Sequence, residues 1–346
     1  MKIKSLDGLR GIAAIFVFLC HMRNIASLPP LYTPYRFFEA GHEAVILFFI
    51  LSGYVLTYSQ ERYNISYAAY ICRRIFRIYP TYYLSMIVGV VLFLIIKPYK
   101  IASYTEWFNG QFPLIVLSTK VFIQSVVLIT KQDNLINGAA WSLVYEVIIS
   151  IFMLPILFKY KKLFNNSLIA IITISLCWQI SKNVKIPFVI AASFNYFIYF
   201  YIGYLAFYNT YYLKYLAYVR CLPIYLVLFT SQFFSYGYIN EIHHTEVLAG
   251  LGSIGFIACC IHNQYFAKLL ESKLVQFYGK ISYSFYLFHM SILYLVIYNF
   301  RMYLNLLQMK ILIFLLTTFV SLIVYKVIEI NFIKFGKHIV KKERHV

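Results

Sequence analysis

The chain has 346 residues, of which 62% are hydrophobic and 12% are charged, and its formal net charge is +19. A soluble domain of ordinary composition carries about 25% charged residues, so the composition excludes a soluble enzyme, a disordered chain and a disulfide-rich scaffold. Continuous apolar windows of about 20 residues recur along the chain, and each is long enough to cross a bilayer as a helix. We therefore predict an all-α integral membrane protein rather than a β-barrel, whose strands alternate in polarity.

Ten apolar windows form the predicted spans, in chain order 8–26, 43–60, 80–97, 141–159, 167–182, 187–207, 221–238, 246–263, 282–300 and 310–333. A further apolar stretch at 112–130 contains Lys120 and Gln124 and begins near Pro113. If that stretch does not span, 20 of the 31 Lys and Arg residues lie on the side of the two termini. The positive-inside rule then predicts about ten helices with both termini cytoplasmic and an interfacial or re-entrant segment near 112–130. Because the basic residues stand in short clusters between the windows, they indicate membrane orientation, and no nucleic-acid partner is expected.

No large soluble segment interrupts the spans, so we predict one membrane domain over 1–346 without an appended soluble domain. The N-terminal window is similar to a signal peptide, but many spans follow it, and we predict an uncleaved first helix. The six cysteines lack metal-ligand spacing. Adjacent His243 and His244 cannot easily face one ion together, so no metal site is predicted.

Ionisable residues inside a span are costly unless they are paired or functional, and the first span contains two. Arg10 and His21 are eleven residues apart, so a helix brings them to within about 20° of one face and separates them by about 16 Å along its axis. Arg10 then lies at the cytoplasmic edge and His21 beyond the bilayer midplane, as in a polar-lined cavity. A snorkelling arginine and a core histidine explain the same pattern.

Arg73, Arg74 and Arg77 form an arginine cluster in the predicted cytoplasmic loop at 59–79. On a helix Arg73 and Arg77 share a face and Arg74 neighbours Arg77, and Pro80 suits the first turn of the next helix. Guanidinium groups bind phosphate in bidentate fashion, so the cluster at the membrane surface fits an anionic ligand with several phosphates. The alternatives are simple positive-inside charge and contact with anionic lipid.

Three later spans carry polar residues. In the fourth, entered from outside, Ser142 and Glu146 are four residues apart and lie on one face, next to Trp141. In the last, Lys326 and Glu329 are three residues apart, and we predict that they neutralise each other as a structural pair. In the ninth, entered from inside, three side chains follow helical spacing: Ser282, Tyr286 and His289.

These residues fall into motifs that resemble those of the acyltransferase-3 family of membrane acyltransferases. Leu-Asp-Gly-Leu-Arg-Gly at 6–11, with His21, resembles the Arg-x10-His signature that opens the family. Further matches follow in the family's order: Phe-Phe-Ile-Leu-Ser-Gly-Tyr at 48–54, Arg73 to Pro80, Trp-Ser-Leu at 141–143 with Glu146, Ser-Tyr-Ser-Phe-Tyr-Leu-Phe-His at 282–289, and Ile328-Glu329 with Phe332.

The resemblance implies a ten-helix membrane enzyme that transfers an acyl group, usually acetyl from acetyl-CoA, to a hydroxyl of an extracytoplasmic acceptor. Acetyl-CoA is then a donor substrate, and no tightly bound cofactor is expected. In this scheme the arginine cluster binds coenzyme A, with Arg10 at the cavity mouth. His21 takes the proton of the acceptor hydroxyl, Glu146 orients the imidazole, and His289 is a second candidate for proton handling. The candidate acceptor-binding residues are Trp141, Ser142, Ser282 and Tyr286.

The favoured acceptor is a surface polysaccharide such as an O-antigen, a capsule or an exopolysaccharide, either free or as a lipid-linked glycan. We expect the protein to lie in the inner membrane of a bacterium, in contact with membrane lipids. A small molecule of the macrolide type or a lipid is the alternative acceptor. Outside acyl transfer, a glycan or lipid transporter or flippase would also have ten or more spans and intramembrane charge. Such a transporter does not need an arginine cluster beside a deep histidine.

Two features depart from the family's pattern. Many members carry an acidic or polar residue two places before the Phe-Phe pair, where this chain has Ile46. Some members carry an esterase-like extracellular domain, which is not expected in this chain, so the chain completes the transfer itself or hands it to a separate partner. We also expect His21, Glu146 and His289 to line one conduit that admits the phosphopantetheine arm of coenzyme A.

Overall fold

The computed structural model describes residues 3–26, 40–111, 119–128, 137–183, 186–231 and 242–342. Within these ranges the chain is helical and contains no β-strand, apart from one isolated antiparallel bridge between Ala26 and Tyr104. The α-helices, in chain order, are α1 (Lys4–Arg23), α2 (Gly41–Tyr63), α3 (Tyr67–Ile96), α4 (Glu106–Gln111), α5 (Thr119–Val127), α6 (Trp141–Ile148), α7 (Leu154–Lys159), α8 (Lys161–Phe164), α9 (Ser167–Asn183), α10 (Phe188–Tyr208), α11 (Thr210–Leu213), α12 (Leu222–Phe229), α13 (Ile242–His262), α14 (Gln264–Leu270), α15 (Lys273–Phe300), α16 (Leu306–Val324) and α17 (Ile330–Lys342).

Eight helical segments of the described chain are long and apolar enough to cross a membrane: Lys4–Arg23, Gly41–Tyr63, Tyr67–Ile96, Gly138–Lys159, Phe188–Tyr208, Thr245–His262, Lys273–Phe300 and Leu306–Val340. The pair Thr210–Leu216 and Val219–Phe229, bent by 69°, adds a ninth if it forms one broken span. The shorter apolar helix Ser167–Lys182 coincides with another predicted span. The predicted class, an all-α multi-pass membrane protein, is confirmed. The number of ten spans and the cytoplasmic position of both termini stay predictions.

The predicted loop at 59–79 is helical over most of its length, which corrects the sequence interpretation. Only residues 64–66 separate α2 from α3. Ser66 caps α3, because its hydroxyl accepts a hydrogen bond of 3.2 Å from the backbone N–H of Ala69. Helix α3 then continues through Pro80, which lies in its interior and not in its first turn. Membrane helices tolerate an interior proline because neighbouring groups satisfy the freed carbonyl, so Pro80 marks no helix boundary.

The apolar stretch at 112–130 contains α5, while its residues 112–118 and 129–130 lie outside the described chain. Helix α5 has nine residues, which amount to about 14 Å of helix and less than half the hydrocarbon thickness of a bilayer. It lies beside α3, because the Tyr82 hydroxyl donates a hydrogen bond of 2.7 Å to the carbonyl of Ser125. A short helix held against a spanning helix agrees with the predicted interfacial or re-entrant segment.

Two π turns interrupt the α-helical geometry. One, Ile149–Met153, joins α6 to α7, and the other, Tyr325–Glu329, joins α16 to α17. Single π turns inside helices occur frequently at functional sites. Both lie close to carboxylates that the sequence motifs single out, Glu146 and Glu329.

The described residues group into two compact units. The first comprises those within Met1–His21, Pro29–Asn64 and Tyr145–Lys280. The second comprises those within Met22–Leu28, Ile65–Val144 and Ile281–Val346.

In the first unit, glycines bring α2 and α10 into backbone contact. A Cβ built on Gly53 would lie 2.0 Å from the carbonyl oxygen of Phe200, and one built on Gly203 would lie 2.1 Å from that of Ile50. Membrane helices associate closely where small residues face each other. This reciprocal contact fixes the helix that carries the Phe-Phe-Ile-Leu-Ser-Gly motif.

Helix α1 meets the end of α14 and the beginning of α15 through glycines of the same unit. A Cβ on Gly11 would lie 2.5 Å from the backbone nitrogen of Gly279, and one on Gly8 would lie 2.3 Å from the carbonyl oxygen of Leu270. Because Arg10 stands between these two glycines, the contact fixes the depth at which α1 holds its guanidinium group.

In the second unit, α3 packs against α17 and α15. The ring of Phe76 stacks on Phe332 with 6.4 Å between centroids and meets Phe335 edge-on at 5.2 Å. The Tyr283 hydroxyl donates a hydrogen bond of 2.7 Å to the carbonyl of Ile78. These contacts hold the part of α3 that carries the arginine cluster.

Candidate functional site

Arg10 and His21 lie on α1, and both side chains are half-buried. No break interrupts α1 between them, so the helix places the two groups on one face with about 16 Å of axial separation. A guanidinium and an imidazole at two depths of one helix are the arrangement that the Arg-x10-His spacing predicts. Their catalytic roles stay predictions.

Glu146 lies on α6, one turn before the π turn at Ile149–Met153, and its side chain is half-buried. Its neighbour Tyr145 is buried and contacts the ring of Tyr196 on α10, with 4.7 Å between ring centroids. The aromatic contact anchors this part of α6 in the first unit. The proposed orientation of His21 by Glu146 stays a prediction.

A carboxylate–imidazole pair in the first unit was missed by the sequence analysis. Oε1 of Glu246 on α13 lies 2.7 Å from Nε2 of His42 on α2. The other oxygen, Oε2, accepts hydrogen bonds from Asn195 Nδ2 at 3.1 Å and from the Tyr199 hydroxyl at 3.4 Å. Both His42 and Glu246 lie at the edge of predicted spans, where ionisable groups are costly. That position is the sequence feature from which a functional or paired role could have been predicted.

The arginine cluster lies on α3 in the second unit and not in a loop. Arg74 is buried with 5% of its surface exposed, whereas Arg73 and Arg77 are half-buried. The burial of Arg74 was not expected from the sequence, whereas the position of the cluster at the membrane surface stays a prediction. The cause of the burial is the early start of α3, which turns Arg74 towards the helices packed around it.

Ser142 and Tyr286, two predicted acceptor-binding residues, meet in the second unit. Their hydroxyl oxygens are 2.9 Å apart and both side chains are buried. His289, also buried, donates from Nδ1 to the carbonyl of Tyr286 at 2.7 Å, so Nδ1 carries a proton in this contact. Ser282 is buried on the same helix, and Trp141 at the beginning of α6 is half-buried.

Glu329 differs from the sequence prediction. Its buried Oε2 accepts a hydrogen bond of 2.7 Å from the Ser284 hydroxyl, whereas Lys326 is exposed. The predicted neutralisation of Glu329 by Lys326 is therefore wrong. Both residues belong to a π turn, whose wider spacing does not place side chains three residues apart on one α-helical face.

The described residues contain no group of three or more His, Cys, Asp or Glu side chains that could hold a metal ion. The side chains of His243 and His244 lie outside the described part of the chain. The six cysteines, all within the described ranges, form no disulfide bond.

The family of acyltransferase domains called acyltransferase-3 matches residues 3–327 of this chain. The chain belongs to the acyltransferase-3 family. Its Arg-x10-His element is therefore the beginning of a family domain that extends over nearly the whole chain, through the π turn that carries Lys326.

Two known sequences resemble this acyltransferase-3 chain over part of their length. Acyltransferase MdmB of Streptomyces mycarofaciens is 34% identical over 102 residues, which cover 28% of this chain and 26% of MdmB. Protein 2 in the picA locus of Rhizobium radiobacter is 26% identical over 155 residues, which cover 42% of this chain and 77% of that protein. The similarity thus spans about a quarter of the length of MdmB. No solved structure matches the chain.

This acyltransferase-3 chain has Ile46 where many members of the family have an acidic or polar residue. Ile46 is fully buried on α2. One turn earlier, Glu43 is also buried, with 2% of its surface exposed. Residues three apart are neighbours on a helix surface. A carboxylate is thus present on the same helix, one turn before Ile46 and next to His42 in the chain.

Proposed function

We propose that this chain is a membrane O-acyltransferase that moves an acetyl group from cytoplasmic acetyl-CoA to a hydroxyl of a surface polysaccharide. The observation that carries the proposal is the family match over residues 3–327. The continuous helix that holds both Arg10 and His21 supports it, because the reaction needs an anion-binding group and a base at different depths.

The proposed donor site is the arginine cluster. Coenzyme A carries several phosphate groups, and guanidinium groups are weakly hydrated and bind phosphate with two hydrogen bonds. The half-buried Arg73 and Arg77 suit such an anion better than fully solvated side chains, because a partly desolvated charge interacts more strongly with its counterpart.

The proposed reaction is an acyl substitution. The acceptor oxygen forms a bond to the thioester carbonyl carbon, the carbon–sulfur bond breaks, and the thiolate of coenzyme A leaves and takes up a proton. His21 accepts the proton of the attacking hydroxyl as a general base, a contribution of about 10²–10⁴ in rate.

The test is acyl transfer by the purified full chain in lipid nanodiscs. Labelled acetyl-CoA is supplied on one side together with a polysaccharide acceptor, and both free thiol and acceptor-bound acetyl ester are measured. We expect equal amounts of thiol and ester, and no ester with His21→Ala. Movement of glycan across the membrane without ester formation would instead establish a transporter.

The identity of the acceptor is tested in the same assay. A polysaccharide, a macrolide-type hydroxyl compound and a lipid are offered at equal concentration, and the polysaccharide is expected to receive the acetyl group. Loss of O-acetyl groups from the surface glycan of cells that lack this protein would agree with that acceptor and with a location in the inner membrane of a bacterium.

A further inference from the structure

The pair formed by His42 and Glu246 joins two helices through a buried carboxylate. Nε2 of His42 lies 2.7 Å from Oε1 of Glu246, and Oε2 accepts hydrogen bonds from Asn195 and Tyr199. Three side chains from α2 and α10 therefore converge on one carboxylate of α13. We call these four residues the His42–Glu246 group.

Exposure separates His42 from the other three members of this group, which are all buried. The side chain of Glu246 is 2% exposed, whereas that of His42 is 27% exposed. A buried carboxylate is costly unless it is paired and hydrogen-bonded, and here it holds an imidazole that is partly exposed. This is the arrangement in which a carboxylate stabilises an imidazolium that forms during a reaction.

The group lies beside the helix end that carries His21. A Cβ built on Gly41 would lie 2.6 Å from the Cβ of Cys20, so α2 begins in direct contact with α1. Gly41 precedes His42 and Cys20 precedes His21 in the chain. The two histidines therefore stand within one residue of the same helix contact.

Other polar and aromatic groups of the first unit also face His42. Glu43, its neighbour on α2, is buried. The ring of Tyr196 on α10 lies 6.5 Å from that of His42, and the ring of Tyr145 on α6 lies 4.7 Å from that of Tyr196. The imidazole is thus bordered by carboxylates and phenol rings of three helices.

We propose that His42, held in place by Glu246, is the proton-relay residue that takes from His21 the proton of the acceptor hydroxyl. The proposal rests on the function proposed above. The acceptor O–H bond breaks as its oxygen bonds to the acyl carbon, and the carbon–sulfur bond breaks at the same centre. The proton moves to His21, then to His42 and from His42 to water, while the thiolate of coenzyme A takes a proton from water on the donor side. Glu246 is a positioning residue, because its carboxylate orients and stabilises the imidazolium.

The decisive comparison uses His42→Gln and His42→Ala in the full chain in nanodiscs. A glutamine amide can still donate a hydrogen bond to Glu246 but cannot accept a proton at neutral pH. We expect both variants to fold, to bind acetyl-CoA with unchanged affinity, and to transfer acetyl with kcat lowered by about a hundredfold, which is the lower end of what proton transfer contributes. Added imidazole is expected to restore a large part of the rate of His42→Ala, because the variant lacks a ring that is partly exposed in the native chain.

Two more variants separate relay from packing. Glu246→Gln keeps the shape of the group but removes its negative charge, and we expect a fall in kcat of about tenfold, the effect of one pKa unit on a relay imidazole. His262→Ala is the matched control: it removes an imidazole from the opposite end of α13, where His262 bonds the carbonyl of Thr210, and should leave kcat unchanged.

The outcomes distinguish this inference from the proposed function. A native chain that transfers acetyl while His42→Gln transfers at the same rate would overturn the relay alone. Folded His42→Ala whose lost rate does not return with imidazole would overturn it as well. A native chain that forms no acetyl ester with any acceptor would overturn the proposed function and the relay together.

Discussion

The hydroxyl groups of Ser142 and Tyr286 lie 2.9 Å apart across 144 residues of sequence, and both side chains are buried. Each residue belongs to a different motif of the acyltransferase-3 family. A hydroxyl both donates and accepts hydrogen bonds, so the pair can exchange its mutual bond for bonds to the hydroxyl groups of an acceptor. The structure thus connects two motifs through a contact between their hydroxyl groups.

The coupling of this pair can be measured with a double-mutant cycle. Ser142→Ala and Tyr286→Phe each remove one hydroxyl, and each is expected to lower the free energy of unfolding by about 1 kcal/mol. The double variant should lose little more than either single variant, because both changes break the same bond. Thermal unfolding of the four proteins in one detergent provides the measurement. Strictly additive losses would show that the two hydroxyls do not stabilise each other.

His21→Ala is expected to abolish acetyl transfer while the protein still inserts and folds. The imidazole is half-buried on α1, and removal of a general base lowers the rate by about 10²–10⁴. Ester formation and thermal unfolding are measured on the same preparation. His338→Ala, an exposed imidazole on α17, is the control and should keep the native rate. A stable His21→Ala protein with native activity would remove His21 from catalysis.

The arginine cluster should respond to salt according to burial. Arg77→Ala is expected to weaken acetyl-CoA binding more strongly at low than at high ionic strength, because salt screens a half-buried charge. Arg74→Ala should weaken binding at all salt concentrations and also lower the unfolding temperature, because Arg74 is buried among packed helices. Coenzyme A is titrated at several salt concentrations.

Arg73→Ala is expected to resemble Arg77→Ala, since both side chains are half-buried. Arg62→Ala, which removes an exposed guanidinium that hydrogen-bonds the Tyr58 hydroxyl at the end of α2, is the control. Equal affinity for all three cluster variants and the control would mean that the cluster determines only membrane orientation.

Gly53→Ala is expected to separate α2 from α10. Its Cβ would fall 2.0 Å from the carbonyl oxygen of Phe200, and backbone at such a distance must shift, at a cost of about 1–3 kcal/mol for an overpacked contact. Gly110→Ala is the matched control, since a Cβ there meets nothing within 4 Å. Unfolding temperatures compare the two variants. Native stability of Gly53→Ala would show that these helices are not held at backbone distance.

Much of the fold follows from local patterns, and the departures have physical causes. Apolar windows and charge bias predict the membrane class and most spans, and helical spacing predicts that Ser282, Tyr286 and His289 share one helix. Pro80 misled the prediction because a membrane helix can continue through proline. Local spacing also failed at Glu329, where a π turn changes which side chains meet.

Contacts between distant segments are the part of the site that one sequence does not reveal. His42 and Glu246 are 204 residues apart. Their positions at the edges of two predicted spans indicate that each is energetically costly there, but they do not reveal that the two side chains pair with each other. Ser142 and Tyr286 were each identified from their own helix, and only the folded chain brings their hydroxyls together. Without an observed substrate, the conduit expected to contain His21, Glu146 and His289 stays a prediction.

The π turn at Tyr325–Glu329 makes one point of the last long helix tolerant of changes in chain length. A π turn holds one residue more than the α-helical turn it replaces, so a deletion inside it restores an α-turn and keeps Phe332 and Phe335 facing Phe76. A deletion within α16 would instead rotate everything beyond it by about 100° relative to the preceding turns. In related chains whose last long helix is one residue shorter, the missing residue should therefore fall within the π turn that holds Glu329.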